Sequence, residues 1–183
     1  MKIVNFWAGP GSGKSTVAAG LYYELKKQSK INVELVQEMV KDKVYEGTDD
    51  LNVLPVLNVA QQYYKYVIYD GQLDYAISDS PIMLSYIYGS MTDIERDLIR
   101  EWHWNFPSIN FFLKRNSEKE YNVIGRIHTE SESREIDDEI IQVMENELDH
   151  FWQIYHNEDA VGKILEILKN EDSNLWQSRL DRS

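Results

Sequence analysis

The segment Ala8-Gly9-Pro10-Gly11-Ser12-Gly13-Lys14-Ser15 decides how the rest of this 183-residue sequence is interpreted. It matches a pattern of glycine or alanine, any four residues, and then glycine, lysine and serine or threonine. Glycines in such a loop let backbone N–H groups turn inward around phosphate oxygens, which larger side chains would obstruct. The segment therefore predicts a loop that holds the phosphates of a nucleoside triphosphate.

The sequence on both sides of this loop supports the same interpretation. Lys2–Trp7 is a short apolar run typical of a β-strand, and the pattern from Ser15 to about Gln28 predicts a helix. The helix dipole then points its N-terminal end at the bound anion. We expect Lys14 to reach the β and γ phosphates, and the Ser15 hydroxyl to be a ligand of Mg²⁺. The predicted cofactors are ATP and Mg²⁺, and the predicted nucleotide-binding residues are Gly9, Pro10, Gly11, Ser12, Gly13, Lys14, Ser15 and Thr16.

Strands and helices alternate along the rest of the chain, which favours a parallel sheet with helices on both faces. We predict one three-layer α/β/α domain over residues 1–170 and a loose tail over residues 171–183. Further strands are predicted at Asn32–Gln37, Tyr75–Ser78 and Ile109–Leu113. Helices are predicted at Leu54–Asp70, Leu84–Tyr88, Thr92–Trp104, Ser117–Ile127, Asp137–Tyr155 and Ala160–Lys169, with a polar hinge over residues 128–135.

Acidic residues directly after the second and third strands are candidates for positioning the metal and the phosphate acceptor. Asp79 follows Tyr75–Ser78, and Glu38 follows the second strand. The carboxyl ends of parallel strands meet at one edge of the sheet, beside the phosphate loop. Since a Mg²⁺-triphosphate site also needs an acidic group there, Asp79 is the first choice as metal ligand. An aspartate before proline also commonly caps a helix, and the two roles are compatible.

Basic residues cluster after the fourth strand in an otherwise acidic chain. Lys114, Arg115, Arg126 and Arg134 fall there, and the last two flank the polar hinge. A mobile helical lid around residues 115–136 would exclude water and bring arginine to the γ-phosphoryl group. The alternative is that these arginines form surface pairs with neighbouring glutamates.

Composition limits the classes of partner. The formal net charge of −12 argues against a broad nucleic-acid footprint, because phosphate contacts require a basic face. The sequence has no cysteine, which excludes disulfides and thiolate metal sites. It shows neither a signal peptide nor an apolar run of the roughly 18–20 residues that a membrane span needs. We expect a cytoplasmic protein.

The order of these parts resembles the nucleoside and nucleotide kinases of the P-loop class over roughly residues 1 to 169. Similar families are the thymidylate kinases, the deoxynucleoside kinases and the riboside kinase domain of bacterial NAD-synthesis regulators. The resemblance implies about five strands in the order 2-3-1-4-5 and a helical lid. Thymidylate kinases carry Asp-Arg-Tyr after the third strand, where this chain has Asp79-Ser80-Pro81. The missing arginine argues against thymidine monophosphate as the acceptor.

The same resemblance implies roles for other residues. Deoxynucleoside kinases read the base with a glutamine on the third helix, which corresponds to Gln61 or Gln62. Thymidylate kinases carry a serine on the helix that follows the third strand, and Ser85 has a similar spacing. Glu38 corresponds to an acidic residue after the second strand that, in some members of these families, serves as a base or binds the acceptor hydroxyl. Arg126 and Arg134 fall where these families carry a pair of lid arginines.

We therefore expect ATP- and Mg²⁺-dependent phosphoryl transfer to a small nucleoside, nucleotide or related acceptor. Two alternatives stay open: a bacteriophage enzyme that phosphorylates a hydroxymethylated base in DNA, and a nucleotide-binding regulator with slow ATPase activity. A homodimer is a further expectation, since the resembled kinases are commonly dimers. The predicted catalytic residues are Lys14, Asp79, Arg126, Arg134 and Glu38, the acceptor residues Glu38, Gln61, Gln62 and Ser85, and the metal ligands Ser15 and Asp79.

Overall fold

Five parallel strands form one sheet in the order β2-β3-β1-β4-β5, which confirms the predicted order. The structure is a computed structural model that describes residues 1–28, 30–37, 55–89, 91–115 and 129–180. The strands are β1 (Lys2–Trp7), β2 (Val33–Val36), β3 (Tyr75–Ser78), β4 (Ser108–Lys114) and β5 (Trp152–Tyr155).

Helices cover both faces of this sheet because the side chains of each strand alternate between two cores. Val4 and Phe6 of β1 face the core that contains Leu21, whereas Ile3 and Trp7 face the core that contains Tyr66. The described helices are α1 (Lys14–Lys27), α2 (Pro55–Tyr69), α3 (Ser85–Tyr88) after a 3-10 turn at Ile82–Leu84, α4 (Asp93–Trp104), α5 (Glu130–Glu147), α6 (Ala160–Glu171) and α7 (Ser173–Leu180).

The start of α5 corrects the prediction of a polar hinge over residues 128–135. Thr129 and Glu132 form a capping box, in which the threonine side chain accepts from the Glu132 N–H and the glutamate accepts from the Thr129 N–H. This arrangement satisfies two helix-end donors and starts the helix at Glu130. The box predicted at Thr92 and Glu95 is also present, at the start of α4.

The predicted helix Asp137–Tyr155 is wrong at its end, since α5 stops at Glu147 and residues 152–155 form the edge strand β5. Ile154 points into the core, and both its neighbours are exposed, as the two-residue period of a strand requires. The predicted helix Ser117–Ile127 lies outside the described residues. The predicted lid over residues 115–136 lies partly outside them, and its residues 130–136 belong to α5.

Residues 173–180 of the predicted loose tail form helix α7, which a polar cluster fixes to the sheet. The buried Trp176 donates through Nε1 to the Tyr75 hydroxyl at 3.3 Å, and that hydroxyl donates to Asp172 at 2.7 Å. Lys2 forms a salt bridge with the same carboxylate. Burial, reinforced by Asp172, raises the pKa of Tyr75, so its hydroxyl keeps the proton that it donates. Among the described residues no helix is both long and apolar enough to cross a bilayer.

His103 of α4 is buried in the core on the α2 and α4 side of the sheet, with 4% of its surface exposed. Its Nε2 has no hydrogen-bond partner in the part of the chain that the structure describes, and its ring meets that of Trp7 edge to face at 6.4 Å between centroids. Burial lowers the pKa of His103 to about 4, and the charge of Glu147 opposes this shift only in part. His103 is therefore neutral in the folded protein near neutral pH.

We expect His103 to make the folded protein sensitive to acid. Its pKa is about 4 when folded and 6.5 as the ordinary value, so below pH 6.5 the unfolded chain binds the proton more readily. Stability then falls as the pH drops from 6.5 toward 4. Between pH 7.5 and 5 the wild type should lose roughly 2 kcal/mol more than His103→Leu in urea unfolding, at 1.36 kcal/mol per pKa unit. The exposed His150, replaced by leucine, is the matched control and should keep the wild-type pH profile. Equal profiles for the wild type and His103→Leu would contradict the prediction.

Candidate functional site

The loop between β1 and α1 has the backbone shape that surrounds an anion. Gly11 and Gly13 have φ values of 79° and 93°, in the region that favours glycine. Gly13 is the N-cap of α1 and has no side chain of its own to cap the helix, and a helix N-terminus is a general binding site for anions. The ammonium group of Lys14 donates to the carbonyl oxygens of Ala8 at 2.5 Å and Gly9 at 3.0 Å, which holds it over the loop.

Ser12 provides a direct sign that this loop accepts a further oxygen ligand. The residue is 2% exposed, and its Oγ is one of two buried side-chain polar atoms without a partner among the described residues. An unsatisfied buried hydroxyl costs about 1–3 kcal/mol, which a phosphate oxygen in hydrogen-bond reach would remove. The loop therefore fits a triphosphate in backbone shape, charge and hydrogen-bonding capacity.

The predicted metal ligands Ser15 and Asp79 lie in contact. The Ser15 hydroxyl donates to Oδ2 of Asp79 at 2.9 Å, and Asp79 is 6% exposed at the carboxyl end of β3. Hydroxyl and carboxylate oxygens are ligands that suit Mg²⁺. Within the described ranges no group of three His, Asp or Glu side chains could hold a metal ion without help. A Mg²⁺ ion here would need phosphate oxygens among its ligands, as is usual for that ion.

The two glutamines predicted to read an acceptor base face different environments. Gln61 is exposed on α2, whereas Gln62 is 7% exposed and turned toward the sheet. The Gln62 amide nitrogen contacts the Tyr66 hydroxyl at 2.7 Å, Ser78 Oγ at 3.0 Å and the Ser80 carbonyl at 2.7 Å. Burial raises the pKa of Tyr66 to about 12, so its hydroxyl stays protonated. Gln62 is thus buried against the end of β3, beside the two residues that flank Asp79.

The remaining predicted residues either bond to residues nearby in the chain or lie outside the described residues. The Ser85 hydroxyl is bonded to the Ile82 carbonyl at 2.6 Å. Arg134 is 56% exposed and pairs with Glu130 at 2.7 Å, which is the surface pairing considered as the alternative for the basic cluster. Such a pair is worth at most about 1 kcal/mol, so a ligand can displace it. Glu38 and Arg126 lie outside the described residues.

A partly buried ion pair that the sequence did not reveal joins the loop to α5. Arg115 forms a salt bridge with Asp137, and the Gly9 N–H donates to Oδ1 of Asp137 at 2.6 Å. Arg115 also donates to the Ser133 carbonyl at 3.0 Å. A helix that starts at residue 130 places Ser133, Asp137 and Ile140 on one face, so the capping box was the signal that could have identified Asp137. Asp137 is one of several acidic residues over positions 135–139, and nothing else in the sequence singles it out from the others.

His156, to which the sequence assigned no chemistry, lies against the phosphate loop. It follows β5 directly, and its backbone N–H donates to the Lys114 carbonyl at 2.9 Å. A Cβ atom added to Gly13 would lie 2.1 Å from Cε1 and 2.3 Å from Nδ1 of its ring. The ring therefore occupies the space that any side chain at residue 13 would need.

Solved structures of other proteins have a fold similar to that of this chain. A gluconokinase from Sinorhizobium meliloti 1021 superposes with a TM-score of 0.57 over 97% of both chains, at 16% identity. The two chains share a fold. The YorR protein from Bacillus subtilis, solved in complex with phosphorylated GDP, gives a TM-score of 0.56 at 16% identity and covers 94% of this chain and 98% of its own. With the strand order, these neighbours identify a three-layer α/β/α P-loop fold. No family model and no curated protein sequence matches the chain.

Proposed function

We propose that this protein transfers the γ-phosphoryl group of ATP to a hydroxyl group of a small acceptor, with Mg²⁺ as cofactor. The observation that carries the proposal is the 2.9 Å contact between Ser15 and Asp79. This contact joins the start of α1 to the end of β3. A Mg²⁺-triphosphate needs one oxygen ligand from the helix and one from the strand.

The roles of the chain follow from the requirements of phosphoryl transfer, which depends mainly on alignment and charge neutralisation. The loop N–H groups and the Ser12 hydroxyl would hold phosphate oxygens, and Lys14 would neutralise the β and γ phosphates. Ser15 and Asp79 would hold Mg²⁺, which neutralises charge on the phosphates when bound. Arg134, released from Glu130, and Arg126 remain proposed as the cations that close over the transferred group.

The acceptor that we favour is a nucleoside or related small molecule with a free hydroxyl group. Asp79-Ser80-Pro81 has no arginine to pair with an acceptor phosphate, which supports an uncharged acceptor over a monophosphate. Glu38 and Ser85 remain proposed on the acceptor side. The environment of Gln62 favours a different role for that residue, and Gln61 remains the exposed candidate.

The direct test is transfer of label from γ-³²P-ATP in the presence of Mg²⁺. The acceptors are nucleosides, nucleoside monophosphates, sugar acids, and duplex DNA with hydroxymethylated bases, and Lys14→Ala is the inactive control. We expect label in a small hydroxyl acceptor and none with the variant. Label in DNA alone would support the DNA-base kinase. ATP binding with slow hydrolysis and no labelled acceptor would overturn the kinase proposal in favour of a regulator.

A further inference from the structure

The side chains directly behind Asp79 form a compact polar cluster, which we call the Gln62 cluster: Gln62, Tyr66, Ser78 and Ser80. All four residues are buried between α2 and the end of β3. Within it the Ser80 carbonyl accepts from the Gln62 amide at 2.7 Å and from the Ser78 hydroxyl at 2.9 Å. Buried polar groups are costly unless they are paired, so a saturated arrangement of this kind has one favoured geometry.

The chemistry of the Ser80 carbonyl fixes the orientation of the Gln62 amide. A carbonyl oxygen only accepts hydrogen bonds, so the amide atom that faces it must be the nitrogen. That nitrogen has two hydrogens and three oxygen neighbours, at 2.7 Å, 3.0 Å and 2.7 Å. Its donors are fully used by protein groups, and none is left to read an acceptor base.

The contacts of the Gln62 amide lie next to Asp79, the proposed ligand of Mg²⁺. Gln62 contacts Ser78 and Ser80, which are the residues immediately before and after Asp79. Asp79 itself accepts from Ser15 in the phosphate loop at 2.9 Å. One side chain of α2 therefore holds both neighbours of the carboxylate that faces the triphosphate site.

We propose that Gln62 is a positioning residue that orients Asp79 toward Mg²⁺, and that its amide N–H groups do not donate to the acceptor. This inference rests on the proposed function, because the orientation of Asp79 matters only if Asp79 is a ligand of Mg²⁺. Mg²⁺ demands near-ideal octahedral geometry, so a small rotation of the Asp79 carboxylate weakens metal binding. Loss of a group that orients a metal ligand typically costs 10–100-fold in metal affinity.

The experiment measures metal affinity rather than turnover, with Mn²⁺ as a paramagnetic substitute for Mg²⁺ in the ADP complex. Gln62→Leu removes the amide at similar volume, and Gln72→Leu changes an exposed glutamine just after the end of the same helix. In EPR titrations we expect Gln62→Leu to raise the Kd of Mn²⁺ by about 10-fold or more, while Gln72→Leu leaves it unchanged. ADP affinity in EDTA should be the same in all three proteins, since Gln62 does not touch the phosphate loop.

A lower melting temperature of Gln62→Leu with an unchanged Mn²⁺ Kd would overturn the inference, because it would show a structural role alone. If Gln62→Leu does not fold, Ser78→Ala decides the question. It removes the second donor to the Ser80 carbonyl together with the hydroxyl oxygen that contacts the Gln62 amide, and it should raise the Mn²⁺ Kd severalfold; no change would overturn the inference. Failure of the wild type to bind Mn²⁺ with ADP would instead remove the proposed function.

Discussion

Gly13→Ala should abolish tight nucleotide binding. The residue has a φ of 93°, which costs a residue with a Cβ about 1–3 kcal/mol. The added methyl group would also lie 2.1 Å from the His156 ring, so the loop or the ring must move. Since 1.4 kcal/mol corresponds to a tenfold change in affinity, strain and displacement together should raise the Kd of ATP by about 100-fold or more in calorimetry.

Two further variants show what causes this loss. Gly162→Ala on α6 adds a methyl group in open space; it should leave ATP affinity unchanged and stabilise the helix by up to about 1 kcal/mol. Combining Gly13→Ala with His156→Ala removes the steric conflict and leaves the backbone strain, so it should recover part of the affinity. Wild-type ATP affinity in Gly13→Ala would show that the loop does not hold the phosphates in the described conformation.

Asp79→Asn should nearly eliminate turnover while leaving metal-free nucleotide binding intact. The amide oxygen can still accept from the Ser15 hydroxyl, so the 2.9 Å contact and the local fold can persist. The negative charge that attracts Mg²⁺ is lost. Loss of about 3 kcal/mol of metal-dependent stabilisation of the transition state lowers kcat roughly 100-fold. The Mg²⁺ concentration that gives the half-maximal rate should also rise.

The control for that variant is Asp74→Asn, at the other end of the same strand. Asp74 accepts from the Asn32 backbone N–H at 2.8 Å, at the edge of the sheet opposite the phosphate loop. Its replacement should change kcat by less than about twofold, since its charge is distant and screened. An unchanged Mg²⁺ requirement in Asp79→Asn would show that Asp79 serves the fold and not the metal.

The features that the sequence predicted correctly are those set by local chemistry. The glycine pattern Ala8–Ser15 predicts a loop between a strand and a helix, which lies between β1 and α1, and alternating strands and helices leave few ways to order a parallel sheet. Asp79 could be placed beside Ser15 because the carboxyl end of β3 must lie near the loop after β1. The capping box of Thr92 and Glu95 likewise needs only residues three positions apart.

The features that the sequence did not reveal depend on contacts between distant segments. Asp137 lies in an acidic run whose other members give no sign that one carboxylate is paired with Arg115. The four residues of β5 follow a long helix, and a short apolar run has no periodicity that separates strand from helix. Nothing in the local sequence distinguishes Gln61 from Gln62. The position of α2 on the sheet nevertheless exposes Gln61 and buries Gln62.

The contact of Gly9 with Asp137 has a consequence for observing this protein in solution. A backbone amide that donates to a carboxylate at 2.6 Å has a strongly deshielded proton, because short charge-assisted hydrogen bonds draw electron density from the hydrogen. The Gly9 resonance in an NMR spectrum is therefore a natural reporter of whether α5 is seated on the phosphate loop. Its position and line width would follow the docking of that helix during a nucleotide titration without any attached label.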